Sequence, residues 1–217
     1  MPLVDAMRSQ RAIRRLHFDP VDWDLLREVL DLALKAPTSS NSQDWIFVVV
    51  SDDRQKKRLG DIYRAKGLGS WIMKRGNVTR SPMARQWSAV QWQFEHFDQV
   101  PVFVIPCYRR NVQHRPVGWP QVSVSSFYGS VFPAVQNLLL ACRAVGLGAS
   151  LQTIPLWFQP GVRHVLGLPR SVVPVCIVPI GWAKGRYGQT QRPNIEEVVH
   201  IDRYGNQPYR ANSTASP

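Results

Sequence analysis

Between residues 125 and 145 the chain carries a single charge, Arg143, in a run long enough for about six helical turns. Phe127, Val131, Val135, Leu138, Leu139, Cys142 and Val145 recur at helical spacing, and further apolar residues fall between them. A helix apolar almost all round has to be enclosed, by other elements of its own chain or by a second subunit. Gly129, Ser130 and Ala134 would let a neighbouring helix come close, and Gly146 ends the run as a C-cap. The rest of the chain must therefore supply elements that cover a central helix.

Those elements can be read in order. Residues 3–12 form a short helix running into Arg11-Ala12-Ile13-Arg14-Arg15. Pro20 biases Asp19 away from helix, and Asp22 then caps a helix with Leu26, Val29, Leu30, Ala33 and Leu34 on one face. It stops at Pro37. Trp45-Ile46-Phe47-Val48-Val49-Val50 has the composition of a strand buried on both faces. Ser51-Asp52-Asp53 caps a helix over about 53–66, and residues 67–82 look irregular. Pro82 starts another through Phe97, with Trp87, Val90 and Phe94 on the same side. Val102-Phe103-Val104-Ile105 is a second buried strand. Residues 108–120 are long for a plain connection and favour a functional loop or lid. A short strand is expected near 149–153 and a short helix near 160–167. Residues 172–182 form an apolar strand in which Pro179 points to an edge position or a bulge. The residues from Ala183 on are polar, an arm lying over a surface, with 211–217 frayed. No composition shift marks a boundary, so residues 1–210 are expected to be one domain.

Two segments stand out as binding candidates. Pro37-Thr38-Ser39-Ser40-Asn41-Ser42-Gln43 packs hydroxyls and amides into a loop held between a helix and a strand, which suits a flat polar ligand. The arginines at 11, 14 and 15 suit a phosphate, although such a run is also what a solvated face looks like. Lys+Arg outnumber Asp+Glu by 27 to 15, a net charge of +12, which fits phosphate-bearing ligands. No zinc-finger spacing, RNP motif or basic zipper accompanies that charge, so nucleic acid is disfavoured. Cys107, Cys142 and Cys176 are unclustered and read as reduced core residues. No secretory signal and no membrane-length apolar run is visible, so a cytoplasmic protein is expected.

Several of these pieces occur together in the order of one family. Arg11-Ala12-Ile13-Arg14-Arg15-Leu16, Asp19-Pro20-Val21, Ala36-Pro37-Thr38-Ser39-Ser40-Asn41-Ser42-Gln43-Asp44-Trp45, Gly146-Leu147-Gly148, Gly167-Leu168-Pro169 and Glu196-Glu197-Val198-Val199 resemble the landmarks of the nitroreductase family. The resemblance covers about residues 8–204. It implies an α+β fold, a central and mostly antiparallel sheet flanked by helices, in an intertwined homodimer with a C-terminal arm. It also implies FMN at the interface and NADH or NADPH as reductant, with hydride passing through flavin N5 to a nitroaromatic, quinone or related electrophile. Carried over residue by residue, Arg11, Ala12 and Arg14 match the phosphate and flavin N1/O2 positions. Pro37, Thr38, Ser39, Asn41 and Gln43 match the loop given to the partner's flavin. Leu151, Gln152, Thr153 and Ile154 match the backbone near N5, and Arg192 a late phosphate contact.

This sequence departs from the family at Gln10, where arginine is frequent, at Ala12, where serine is frequent, and at Asp44, where proline is frequent. The first two remove a charge and a hydroxyl from the cradle, so Arg11, Arg14 and Arg192 must carry more. No residue stands out as a general acid, base or nucleophile, as expected where a cofactor performs the redox step. Rival readings are flavin fragmentation, reductive dehalogenation and a non-enzymatic basic protein binding flavin or nucleic acid. Trp71, Trp87, Trp92, Trp119 and Phe127 are the candidates to cover the flavin, and nothing in the sequence separates NADH from NADPH.

Overall fold

Asp22 begins the clearest helix as its composition requires, its carboxylate accepting from the backbone N–H of Asp24 at 2.9 Å and of Leu25 at 3.1 Å. The computed structural model describes residues 1–65, 84–109 and 120–207, the side chains of 120–124 excepted. The chain divides into two compact units, Met1–Tyr187 and Gly188–Pro217.

In the first unit the helices are α1 (Leu3–Ser9), α2 (Trp23–Ala33), α3 (Asp53–Tyr63), α4 (Ala84–Glu95), α5 (Pro120–Ala144) and α6 (Gln159–Leu166). The strands are β1 (Trp45–Val50), β2 (Val102–Arg109), β3 (Leu147–Ala149), β4 (Val172–Pro174) and β5 (Val178–Trp182). They form one antiparallel sheet of order β1-β2-β5-β3, with β4 also paired to β2. This is the α+β layout the family resemblance implies. One core cluster joins α2 and α5 to one face through Leu26, Val29, Val135, Leu138 and Val178. The other packs α3, α4 and α6 on the opposite face through Leu59, Tyr63, Phe97, Phe103 and Ile177.

Several expectations need correction. The first helix ends at Ser9 and not at residue 12, because Gln10 is extended and the arginine run lies against the sheet. β1 is an edge strand, so Trp45–Val49 are only half-buried in the chain instead of covered on both faces. Residues 172–182 are two strands. Ile105 and Pro106 of β2 face three residues, Val175, Cys176 and Ile177, so the break is a β-bulge. Pro106 sits opposite this bulge, where its missing N–H leaves no ladder bond unmade, and its carbonyl accepts from Val175 N–H at 2.9 Å.

Pro179 is not at an edge, since β5 lies between β2 and β3. It shares a strand side with Ile177, whose N–H and C=O both bond Gln152, so its missing donor falls past the end of β3 at Ala149. The strand expected near 149–153 ends at Ala149, with Gln152 forming only an isolated bridge to Ile177.

The central helix starts at Pro120, five residues before the expected position. Val131, Ala134, Val135, Leu138 and Cys142 are buried, whereas Tyr128 and Phe132 stay exposed at 40% and 36%. The described residues thus do not enclose this helix all round. The expected irregular stretch 67–82 and most of the expected lid, residues 110–119, lie outside the described residues, while Tyr108 and Arg109 belong to β2.

Among its described residues the second unit holds one short helix, α7 (Ile195–Val198). It closes on itself through Ile201 N–H to Asn206 O at 2.9 Å and Gln207 Nε2 to Glu197 O at 2.9 Å. Ile195 and Val198 remain exposed.

Candidate functional site

The arginine run reaches the sheet through a gap left by glycine. Gly148 and Gly181 are register partners on β3 and β5, and residues 13–17 cross over this pair. Ile13 N–H bonds Ala149 O at 3.0 Å, His17 N–H bonds Trp182 O at 2.8 Å, and Leu16 bridges Ala183. Ile13 and Leu16 are buried beneath, which leaves Arg11 and Arg14 half-buried and Ala12 and Arg15 exposed.

Burial pulls the Arg14 guanidinium below its ordinary pKa, with the Tyr63 phenol acting in the opposite direction. Among the described residues no carboxylate pairs with Arg14. A guanidinium taken partly out of water without a counter-ion is prepared for an anion or for a ring edge that gains electron density. Nearby, the Tyr187 phenol is raised by burial against the opposing charges of Arg15, Arg11 and Arg143. Arg143 donates to Ser9 Oγ at 3.0 Å and to Tyr187 O at 2.8 Å. The sequence reading missed this fourth cation. Its one signal was a lone charge in the last turn of an otherwise apolar helix.

The segment after β3 lies alongside. Gln152 is buried and exchanges both backbone hydrogen bonds with Ile177, at 2.9 and 2.8 Å. Backbone groups of successive extended residues face opposite ways, so Leu151 presents its N–H and C=O away from Ile177. No backbone hydrogen bond of Leu151 is made among the described residues. Thr153 is exposed, its carbonyl accepting from Leu156 N–H at 2.9 Å, and Ile154 is half-buried. Arg14 and the 151–154 segment are thereby brought together through the Ile13–Ala149 bond. These residues fit a flavin: a half-buried cation with no carboxylate partner among the described residues lies one residue from Ile13, which docks on Ala149, two residues before the outward-facing peptide groups of Leu151.

The loop 37–43 is elsewhere. It leads into β1 at the Tyr108 end of β2, whereas the arginine run docks on β3 and β5 at the Val102 end, about 14 Å away across three strand spacings and a further ~20 Å along the strands. Ser40, Asn41 and Gln43 hold φ of 52°, 52° and 50°, a conformation non-glycine residues seldom adopt. Gln43 N–H donates to Thr38 Oγ1 at 3.2 Å, Gln43 Nε2 to Asn41 Oδ1 at 3.1 Å, and Ser39 N–H to Ser130 Oγ of α5 at 3.1 Å. The loop is therefore pre-shaped, with Pro37, Ser39, Asn41 and Gln43 exposed and Thr38 half-buried. Behind it is a cavity of about 150 Å³ lined by Ser39, Asp44, Trp45, Tyr108, Phe127 and Ser130, among others. One chain does not bring the loop and Arg14 to a common ligand.

Of the aromatic candidates, Trp92 is engaged in a stack with His96 and Phe18, with Lys184 Nζ 5.2 Å from its ring centre. Phe127 stacks on Tyr108 at 5.0 Å. Trp87 is half-buried on α4, and Trp71 and Trp119 lie outside the described residues. Arg192 belongs to the second unit and donates to Gln191 O at 2.8 Å.

The chain matches the sequence profile of the nitroreductase family over residues 7–182. It belongs to that family. A Thermus thermophilus NADH dehydrogenase is 29% identical over 92% of this chain and 97% of its own. An iodotyrosine deiodinase of Daphnia pulex is 24% identical over 82% of this chain, which spans 58% of that relative. In fold, the chain resembles an oxidised iodotyrosine deiodinase solved with FMN and 3-iodo-L-tyrosine, with TM-score 0.72, 20% identity, and coverage of 94% of this chain and 100% of that one. Among the described residues no helix is long and apolar enough to cross a membrane, and no cluster of side chains could hold a metal ion.

Thiol chemistry has no part in the site. Burial raises Cys107, Cys142 and Cys176 to about 12 each, which keeps them protonated at neutral pH. In the native protein at pH 8 a thiol reagent such as DTNB is expected to titrate none of the three within minutes, and all three once denaturant is added.

Proposed function

We propose that this chain is an FMN-dependent oxidoreductase driven by NADH or NADPH, acting on a nitroaromatic, quinone or related electrophile. The observation that carries the reading is Arg14, partly desolvated with no carboxylate partner among the described residues, its neighbour Ile13 bonded to Ala149 at the start of the segment that leads to Leu151. Bound FMN would supply two-electron chemistry, accepting hydride from the nicotinamide and passing it to the acceptor. The protein's part is electrostatic and positional. Arg11, Arg15 and Arg143 give a basic surround for the phosphate, with Ala12 leaving room in place of a hydroxyl. Arg14 places a cation by the pyrimidine edge, and residues 151–154 offer backbone donors and acceptors to the central ring. Arg192 is a further phosphate ligand in this reading.

Pro37, Thr38, Ser39, Asn41 and Gln43 would serve a second copy's flavin. The separation of the two walls across the sheet supports a homodimer with two shared sites, because one chain supplies each wall only once. The exposed Tyr128 and Phe132 on α5 are consistent with that.

The test is direct. The purified protein should be yellow or become so with FMN, bleach anaerobically with NADH or NADPH, and recover colour with nitrobenzene or benzoquinone. A protein that stays colourless and binds no FMN overturns the reading. Reductive dehalogenation is a second reading, favoured by the likeness to iodotyrosine deiodinase in sequence and fold. Iodide release from 3-iodotyrosine under chemical reduction, without turnover of nitrobenzene, would select it.

A further inference from the structure

Gln93 of α4 is 1% exposed and donates through Nε2 to Ser150 Oγ at 2.8 Å. Gln152 Nε2 donates to the same oxygen at 3.2 Å. Ser150 is fully buried and Gln152 nearly so. The remaining amide atom of Gln93, Oε1, is buried with no partner. Turning the amide over would change which atom is left over without finding it a partner. A leucine would fill nearly the same volume without leaving a polar atom stranded, so packing does not account for a glutamine here. What the side chain does make is a clamp: α4 grips Ser150, Ser150 grips Gln152, and Gln152 is locked to Ile177 on its other side. Only Leu151, between the two gripped residues, keeps its peptide groups facing outward.

We propose that Gln93 is a positioning residue that acts through Ser150 to fix the direction in which Leu151 presents its backbone to the cofactor. This rests on the flavin reading of residues 151–154, but its mechanical half can be read without cofactor. Gln93 touches no reacting atom. It sets the angle of the peptide wall, and so the strength and the electronic setting of the flavin's hydrogen bonds.

The variant Gln93→Leu removes the clamp and the stranded atom together. Its cofactor-free melting temperature should equal or exceed that of the parent protein. Amide hydrogen exchange at Gln152 and Ile177, whose N–H groups bond each other's carbonyls, should quicken about tenfold, and FMN affinity should fall about tenfold, the scale of one hydrogen bond's contribution. The midpoint potential of the bound flavin should move as well, which loss of packing alone would not cause. Ser150→Ala cuts the same clamp from the other side and should reproduce the exchange and affinity changes, and it carries the test if Gln93→Leu does not fold. Unchanged exchange and unchanged FMN affinity in both variants overturn the proposal. If the parent protein binds no FMN, the functional reading falls, while the exchange rates of the cofactor-free variants still decide whether Gln93 positions the segment.

Discussion

Arg14→Leu is expected to weaken FMN binding about a hundredfold, the scale of one or two hydrogen bonds to a charged group, while the cofactor-free protein melts no lower than its parent. The two halves of this expectation have one cause. Burial lowers the Arg14 pKa, so the fold disfavours its charged form, yet guanidinium stays protonated at neutral pH. A base with a depressed folded pKa costs stability wherever it is charged in both states, which includes pH 7. An apolar side chain removes that cost, and no ion pair with a carboxylate is lost among the described residues. An anionic ligand bound there would, in contrast, lose a partly desolvated cation. Arg14→Lys should fall between, because lysine keeps the charge without the planar fork. Titrating FMN against its own fluorescence gives the affinities, and a thermal melt gives the stability. Parent-like affinity in Arg14→Leu would remove Arg14 from the site and leave the Arg11, Arg15 and Arg143 cluster to hold the phosphate.

The sequence exposed the parts of this architecture that rest on local patterns. Asp22 and its apolar stripe marked α2, the run from Val102 marked β2, and the arginine run and the 37–43 loop were both visible as polar segments flanked by apolar ones. What it hid depends on pairing between distant residues. Nothing local says that Pro106 faces a bulge at Val175–Ile177, so residues 172–182 read as one strand. The all-apolar composition of β1 promised a central strand, and the register puts it at an edge. Ser40, Asn41 and Gln43 all take the left-handed conformation, although only asparagine is a usual occupant of it. Gln93 was invisible as a site residue, and Arg143 stood out only as a lone charge, because their meaning comes from Ser150 and Tyr187, each dozens of residues away. The family resemblance supplied the roles of the polar segments. The structure adds their separation across the sheet, which the order of motifs along a chain cannot contain.

Gly148→Ala should produce the largest loss of stability from the smallest change, about 1–3 kcal/mol from overpacking, read as a melting-temperature drop of roughly 3–10 °C in a chain this long. A Cβ on Gly148 would lie 2.6 Å from Ile13 Cγ2 and 2.6 Å from Leu16 Cδ2. Neither neighbour has room to yield, since Ile13 is 2% exposed and Leu16 is fully buried. Ile13 is also held from behind by its 3.0 Å bond to Ala149 O, one residue from the substitution, so backing away breaks the tie that sets Arg14 beside Leu151. FMN affinity should therefore fall together with stability, unlike in Arg14→Leu, where the two move apart. Gly181→Ala, at the paired position, would bring its Cβ to 2.9 Å from Pro101 Cδ and 3.2 Å from His17 O, a contact with backbone that no rotamer change relieves. The same joint loss is expected there. If Gly148→Ala melts and binds FMN like its parent, the arginine run does not depend on the glycine gap for its place on the sheet. If stability alone falls, the gap serves packing, and Arg14 is positioned by the Leu16–Ala183 bridge instead.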